Sequence, residues 1–354
     1  MRVLVAGDRG YIGGVLVPMF RATGHEVTGL DTGLYEGCDF GPGPEPPDGP
    51  VCDVRDVTPA QLDGYDAVVC LAALSNDPLG HLNPQVTFSI NLHGTVHLAK
   101  MAKAAGVPRF LFASSCSLYG AAGSEAVAED AEMYPVTPYG ETKALAEHAL
   151  SELADDDFSP TYLRNATAYG VSPRLRLDIV VNNLAAVAVA TGEVRLESDG
   201  TPWRPLVHVQ DIARTALAVV EAPRDIVHDE AFNVGRDQDN MQVRQIAELV
   251  GAAVPGAVVT FAPGAGPDRR DYRVDFSKLA SVFPTLRLEW SVADGVAELV
   301  GGYHEYGMTR DDLLSSRYTR LRRIEELMNA GVIDEELRRL PHDALQSEPT
   351  ASGS

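Results

Sequence analysis

Tyr139 and Lys143 stand four residues apart in Tyr139-Gly140-Glu141-Thr142-Lys143, a spacing that puts a phenol and an ammonium on one face of a helix. A phenol near pKa 10 is a poor base at neutral pH. A cation beside it stabilises the phenolate, and the pair can then take a proton from a hydroxyl or return it. Taken alone, such a pair is also what an ordinary surface helix displays. Ahead of it lies Ser114-Ser115-Cys116-Ser117-Leu118-Tyr119-Gly120, a cluster of small hydroxyls at the carboxyl end of an expected strand, where open α/β sheets place their ligands.

Near the N-terminus, Gly7-Asp8-Arg9-Gly10-Tyr11-Ile12-Gly13 follows the first apolar run and opens the first helical segment. Glycines there let a backbone turn tightly and approach a pyrophosphate at a helix N-terminus, although in a chain with 32 glycines the triplet also suits a plain turn. Asp31 ends the second apolar run, where a carboxylate can accept hydrogen bonds from an adenosine ribose and repels a 2′-phosphate. No basic residue follows it closely, so NAD is favoured over NADP. Asp53, within Val51-Cys52-Asp53-Val54, suits either an adenine amino group or a turn.

The elements that must position these groups are legible as short apolar runs alternating with helix-length segments. Val3 to Ala6 is followed by 10–23, then Glu26 to Leu30; Ala67 to Ala73 by 83–106; Phe110 to Ser114 by 139–154; then Thr161 to Leu163. Such alternation predicts crossover units and a doubly wound α/β fold with a parallel sheet. Residues 33–50 hold too many Gly and Pro for a helix and are expected to form a long loop that a ligand could order. The division expected is 1–168 for the dinucleotide-binding part, with about 205–235 returning to it, and 169–308 for a smaller substrate-binding lobe. Helices are expected at 178–191, 210–221, 242–251 and 291–306, with a strand near 194–197. A helical extension is expected at 309–340 and a disordered tail at 341–354.

Composition narrows the partners. Twenty-nine Lys and Arg against fifty Asp and Glu give a net charge of −21 over 354 residues, which argues against nucleic-acid binding. Without an apolar run of about 18 residues or a signal-peptide pattern, the reading is a soluble cytoplasmic protein with no membrane partner. Four cysteines without a C-x-x-C pair suggest neither a disulfide framework nor a metal site.

Together, the G-x-x-G-x-x-G turn, Asp31, Asp53-Val54, Leu71-Ala72-Ala73, Asn91, Ser115 through Gly120, Tyr139 with Lys143, and Phe232-Asn233-Val234-Gly235 resemble the extended short-chain dehydrogenase/reductases, in their NAD-dependent nucleotide-sugar epimerase/dehydratase branch. The resemblance runs over roughly 1–305 and implies a Rossmann-type sheet. It implies Tyr139 as catalytic base, Lys143 lowering its pKa and holding the nicotinamide ribose, and Ser115 on the sugar hydroxyl being oxidised. It also puts Gly7, Gly10, Tyr11, Ile12, Gly13, Asp31, Asp53, Val54, Leu71, Ala72, Ala73 and Asn91 at NAD. For the substrate, a nucleotide-diphosphate sugar, it implies Ser117, Thr167 (where many members have Asn), Arg176, Asn183, Arg204 and Arg270. A homodimer through 83–106 and 139–154 is implied as well, although an apolar helix face there can equally be core.

Two departures bear on the chemistry. Family 4,6-dehydratases carry an Asp-Glu pair after the serine and decarboxylases a Glu at the second position; here Cys116 and Ser117 stand there. Dehydration of that type needs an acid and a base beside the sugar, so the expectation is an epimerase working through a transient 4-keto sugar. A nucleotide-sugar 4-dehydrogenase or ketoreductase, a dehydratase, and a non-catalytic NAD(H)-sensing protein remain as alternatives. Cys116 is either a packed small hydrophobe or a thiol moving a proton beside the ketone.

Overall fold

The computed structural model describes residues 1–43, 45–75, 83–120, 125–262 and 271–340. Among these, the strands run in chain order as β1 (Arg2–Ala6), β2 (Glu26–Leu30), β3 (Ala67–Cys70), β4 (Arg109–Ser115), β5 (Ala126–Val127), β6 (Ser159–Asn165) and β7 (Thr167–Tyr169). They continue as β8 (Glu193–Leu196), β9 (Trp203–His208), β10 (Glu230–Val234), β11 (Asn240–Gln242), β12 (Val258–Phe261) and β13 (Arg273–Val274). A six-stranded sheet in the order β10-β6-β4-β3-β1-β2 forms the centre. All its pairings are parallel. The strands are apolar on both faces because helices cover both: Ala67, Val68, Val69 and Cys70 of β3 are all buried. Strand order reverses between β1 and β3, so the carboxyl ends of the strands open a crevice there.

Helix Gly13–Ala22 starts only where the glycine turn ends, three residues inside the expected 10–23. Gly7 has φ +89°, and a Cβ on Gly13 would lie 2.4 Å from the Gly7 carbonyl oxygen, so the turn tolerates no side chain at either place. The expected helix over 83–106 is Pro84–Thr87 and Thr95–Ala104 joined by a π-helical stretch, Phe88–Gly94. Helix Pro138–Ser151 is capped by Thr137, whose side chain accepts from the Gly140 N–H at 3.2 Å, with Pro138 in the first turn.

Three-stranded β11-β9-β7 and two-stranded β12-β8 build the second region, with helices Val180–Thr191, Val243–Ala253 and Val292–Glu305 around a common core that includes Leu184, Leu206, Ile246 and Leu299. The loop after Asp31 does not lie free. Phe40 packs edge-on against Tyr303, Tyr306 and Tyr318 at 5.2–5.9 Å between ring centroids. Beyond 309 come helices Arg310–Leu314 and Arg320–Asn329 and a tight turn bridged between Ile333 and Arg339. Ile324, Leu327, Ile333 and Leu337 bury against Leu34, Leu74 and Val86, so the extension docks on the crevice side of the sheet. The expected tail at 341–354 lies outside the described residues.

Candidate active site

A large cavity of about 1530 Å³ lies along the carboxyl ends of the central strands. Ligand sites for one small molecule span roughly 300–1,000 Å³, so this volume accommodates a dinucleotide and a second ligand together. Its walls bring together residues spread across most of the chain.

At one end sit Gly7, Gly10, Tyr11, Ile12 and Gly13, with the N-terminus of helix Gly13–Ala22 supplying amides and a positive dipole end. Leu71, Ala72 and Ala73 face the turn, and a Cβ on Gly7 would come within 2.8 Å of the Ala72 nitrogen. Asp31 and Asp53 line the cavity as well. One Asp31 oxygen accepts from the Gly33 N–H at 2.7 Å, and burial raises the Asp31 pKa. Asp53 is less free than the sequence suggests. Arg55 grips it through Nε at 2.9 Å and Nη2 at 2.6 Å, and Arg338 stands 3.6 Å away. Behind the turn, Asp8 is buried, its carboxylate has no hydrogen-bond partner among the described residues, and Arg9 lies 3.9 Å off. Burial, then the neighbouring Asp31, raises its pKa to about 6. A glycine turn that a Cβ would fill, small residues opposite it and a carboxylate at the end of β2 fit NAD.

Further along the cavity, β4 ends at Ser115, whose Oγ lies 2.6 Å from the Ser117 Oγ and accepts from the Ser117 N–H at 3.2 Å. Both serines line the wall together with Tyr139 and Lys143. The Lys143 ammonium is buried. It donates to the Ala113 carbonyl at 2.6 Å and lies 5.7 Å from the centre of the Tyr139 ring. Burial lowers its pKa to about 8. The floor below is held by a buried ion pair, in which Glu147 accepts from Arg164 at 2.7 Å and also from Ser114. Arg164 in turn donates to the Tyr119 hydroxyl at 2.9 Å.

Two expected site residues are placed elsewhere. Asn91 does not line the cavity; from the π-helical stretch its side chain accepts from the Leu74 N–H at 2.8 Å and donates to the Leu74 carbonyl at 3.0 Å. It holds the Leu74 backbone next to the cavity wall from within the π-helical stretch. Cys116 is wholly buried, donates from Sγ to the Arg164 carbonyl at 3.0 Å, and has its pKa pushed well up by burial. Its thiol lies in the apolar core and not on the cavity wall, which is where the packing alternative puts it.

In the second region, Thr167, Arg176, Asn183 and Arg204 line the cavity. Asn183 donates to the Leu177 carbonyl at 2.9 Å and Arg204 to the Trp203 carbonyl at 2.8 Å. Arg270 lies outside the described residues. His208 is buried against Glu298 at 2.9 Å and stacks on Trp290, a structural strand residue. The sequence reading missed Tyr35, Ser75, Arg320 and Leu337, all of which line the cavity. The signal for the last two was the charged stretch 317–339 with Leu and Ile at helical spacing, which marks a docked helix without telling what it docks on.

A Rossmann-type sheet, a glycine turn fitted to a dinucleotide and a Ser-Tyr-Lys set in the same cavity define a dinucleotide-dependent enzyme acting on a hydroxyl-bearing substrate. The chain belongs to the NAD dependent epimerase/dehydratase family, whose sequence profile matches residues 3–235. It is 27% identical to the UDP-glucose 4-epimerase of Mycolicibacterium smegmatis over 321 residues, 85% of this chain and 97% of that one. It is 28% identical to that of Lactobacillus helveticus over 306 residues, 80% and 91% of the two chains. Among solved structures, MoeE5 in complex with UDP-glucuronic acid and NAD superposes with a TM-score of 0.75 at 26% identity, over 86% of this chain and 99% of that one. The UDP-glucose 4-epimerase of Thermotoga maritima with UDP-glucose gives 0.73 at 23%, again over 86% and 99%, and shares the fold. The protein is accordingly an NAD-dependent enzyme of the sugar epimerase/dehydratase type.

Proposed function

We propose that the protein is a nucleotide-diphosphate-sugar epimerase working through a transient 4-keto sugar. The observation that carries this reading is the wall where Ser115, Ser117, Tyr139 and Lys143 meet, with no carboxylate beside them among the described lining residues. The carboxylates of the cavity among the described residues are engaged or distant: Asp31 and Asp53 at the adenosine end, Asp178 paired with Arg176 at 2.8 Å, and Glu197 paired with Arg195 at 3.0 Å. Elimination needs an acid and a base at adjacent carbons, whereas inversion through a ketone needs only one proton relay and a reversible hydride acceptor.

In this reading Ser115 hydrogen-bonds the sugar 4-hydroxyl and Tyr139 takes its proton. Lys143 holds positive charge beside the phenolate. NAD, when bound, supplies the hydride acceptor and donor. Turning the ketone over in the site, so that hydride would return to its opposite face as Tyr139 gives the proton back to the oxygen, would invert the centre. Asn183 and Arg204 hold the nucleotide diphosphate, with Arg270 as a third contact. Residues 1–168 with 205–235 hold NAD, 169–308 hold the sugar nucleotide, and a homodimer forms through 83–106 and 139–154.

The test is incubation with a panel of nucleotide sugars, with products resolved by NMR and absorbance followed at 340 nm. An epimerase gives two interconverting sugars and no net absorbance change. Steady accumulation at 340 nm identifies a dehydrogenase, and a product lighter by water a dehydratase. NAD binding with no conversion of any sugar would support the sensing protein instead.

A further inference from the structure

We propose that the C-terminal extension completes the NAD site, with Leu337 forming an apolar wall against the adenine ring. The inference concerns the dinucleotide half of the cavity and holds whichever sugar reaction the other half carries out. The NAD pyrophosphate belongs at the glycine turn, and the adenosine half then lies toward β2, with Asp31 just past the carboxyl end of that strand. Asp31 bridges to Val51, and its carbonyl accepts from the Cys52 N–H at 3.1 Å, which brings the segment around Asp53 to the same place.

Residues 336–339 are tied to both of these segments. Arg55 donates to the Glu336 carbonyl at 3.0 Å, Arg338 pairs with Asp56 and stands 3.6 Å from Asp53, and Arg339 donates to the carbonyls of Thr32 and Gly33, each at 2.8 Å. Leu337 is thus held between them. It packs with Leu34 and Leu74, keeps 5% of its surface open, and lines the cavity together with Asp31, Thr32, Asp53 and Val54.

Two observations favour an apolar contact there. Both Asp53 oxygens accept from Arg55, one from Nε at 2.9 Å and the other from Nη2 at 2.6 Å, so this carboxylate is already engaged and packing becomes the larger part of the adenine contact. Leu337 also has φ +59°, one of two non-glycine residues with positive φ among the described residues. Glycine takes that conformation without strain, so a leucine there is held for its side chain.

The experiment is calorimetric titration of the full-length, NAD-free protein with NAD and with ADP-ribose. Leu337→Gly removes the side chain and suits the backbone conformation; it is expected to bind both ligands ~10-fold more weakly than wild type. Leu337→Met, which restores an apolar side chain, should stay within about two-fold of wild type. Ile324→Ala serves as the second variant, because Ile324 is buried in the same cluster but is not on the cavity wall. It should also leave both affinities within about two-fold, since the remaining cluster and the arginine contacts keep the extension docked. Wild-type NAD affinity in Leu337→Gly would overturn the assignment. An equal loss in Ile324→Ala would do the same, by showing that docking of the extension and not the Leu337 contact holds the cofactor. So would a loss for NAD that ADP-ribose does not share, which would move Leu337 to the nicotinamide half. No sugar nucleotide enters these titrations, so their failure and that of the epimerase reading are read separately.

Discussion

At the scale of single residues, the site rests on Tyr139 and on Lys143, whose pKa burial lowers. Tyr139→Phe keeps the ring and removes the proton carrier. Sugar conversion should fall at least ~100-fold while NAD stays bound, measured by turnover and by the cofactor content of the purified protein. Undiminished turnover would refute the mechanism. Lys143 is charged below about 8 and loses its charge above it. The kcat profile should therefore fall on its alkaline side from about pH 8, and in Lys143→Arg the fall should move to higher pH. For stability the sign is the same in origin: between about 8 and the ordinary lysine value the unfolded chain holds more protons, so this group makes stability rise with pH there.

Asp8 presents the mirror case. With its pKa raised to about 6, the folded protein holds more protons than the unfolded chain between about 4 and 6, and its contribution to stability falls as pH rises through that window. Asp8→Asn is expected to raise the melting temperature of the NAD-free protein by ~2–5 °C at pH 7–8. The gap should close below about pH 4. A variant no more stable than wild type at pH 8 would show that the carboxylate has a partner in solution.

Among the elements, the C-terminal extension changes the site most. Arg339 donates to the carbonyls of Thr32 and Gly33, each at 2.8 Å, Arg55 donates to the Glu336 carbonyl at 3.0 Å, and Leu337, at φ +59°, lines the cavity beside the adenosine end. A leucine in the left-handed region costs about 1–2 kcal/mol, and burial of its side chain at 5% exposure offsets that. Deleting 309–354 should speed NAD dissociation at least ten-fold, read from cofactor retained after dialysis, because the strap on Asp53 and on the loop after Asp31 goes with it. The sheet strands and major helices were legible because their apolar periods are set locally. The π-helical stretch was not, since no local spacing marks it, and its Asn91 is tied to the distant Leu74 backbone.

For the whole molecule, the charge of −21 leaves positive charge to local points, and Arg176, Arg204 and Arg320 are such points on the cavity wall. No helix among the described residues is long and apolar enough to cross a membrane. Leu145 is 41% exposed on helix Pro138–Ser151. If that face joins two copies, sedimentation should give twice 37.9 kDa, and Leu145→Asp should shift the protein toward monomer. A monomeric wild type would remove the dimer from the proposal.

The sequence by itself determined the parallel sheet, the glycine turn and the Ser-Tyr-Lys set, because each is written in residues close together or in short periods. Tertiary structure decided what those residues meet. It turned Cys116 into the core, gave Asn91 a backbone to hold, clasped Asp53 with Arg55 and Arg338, and brought Arg320 from the far end of the chain to the cavity wall. Such pairings follow from packing across hundreds of residues, and no local spacing encodes them.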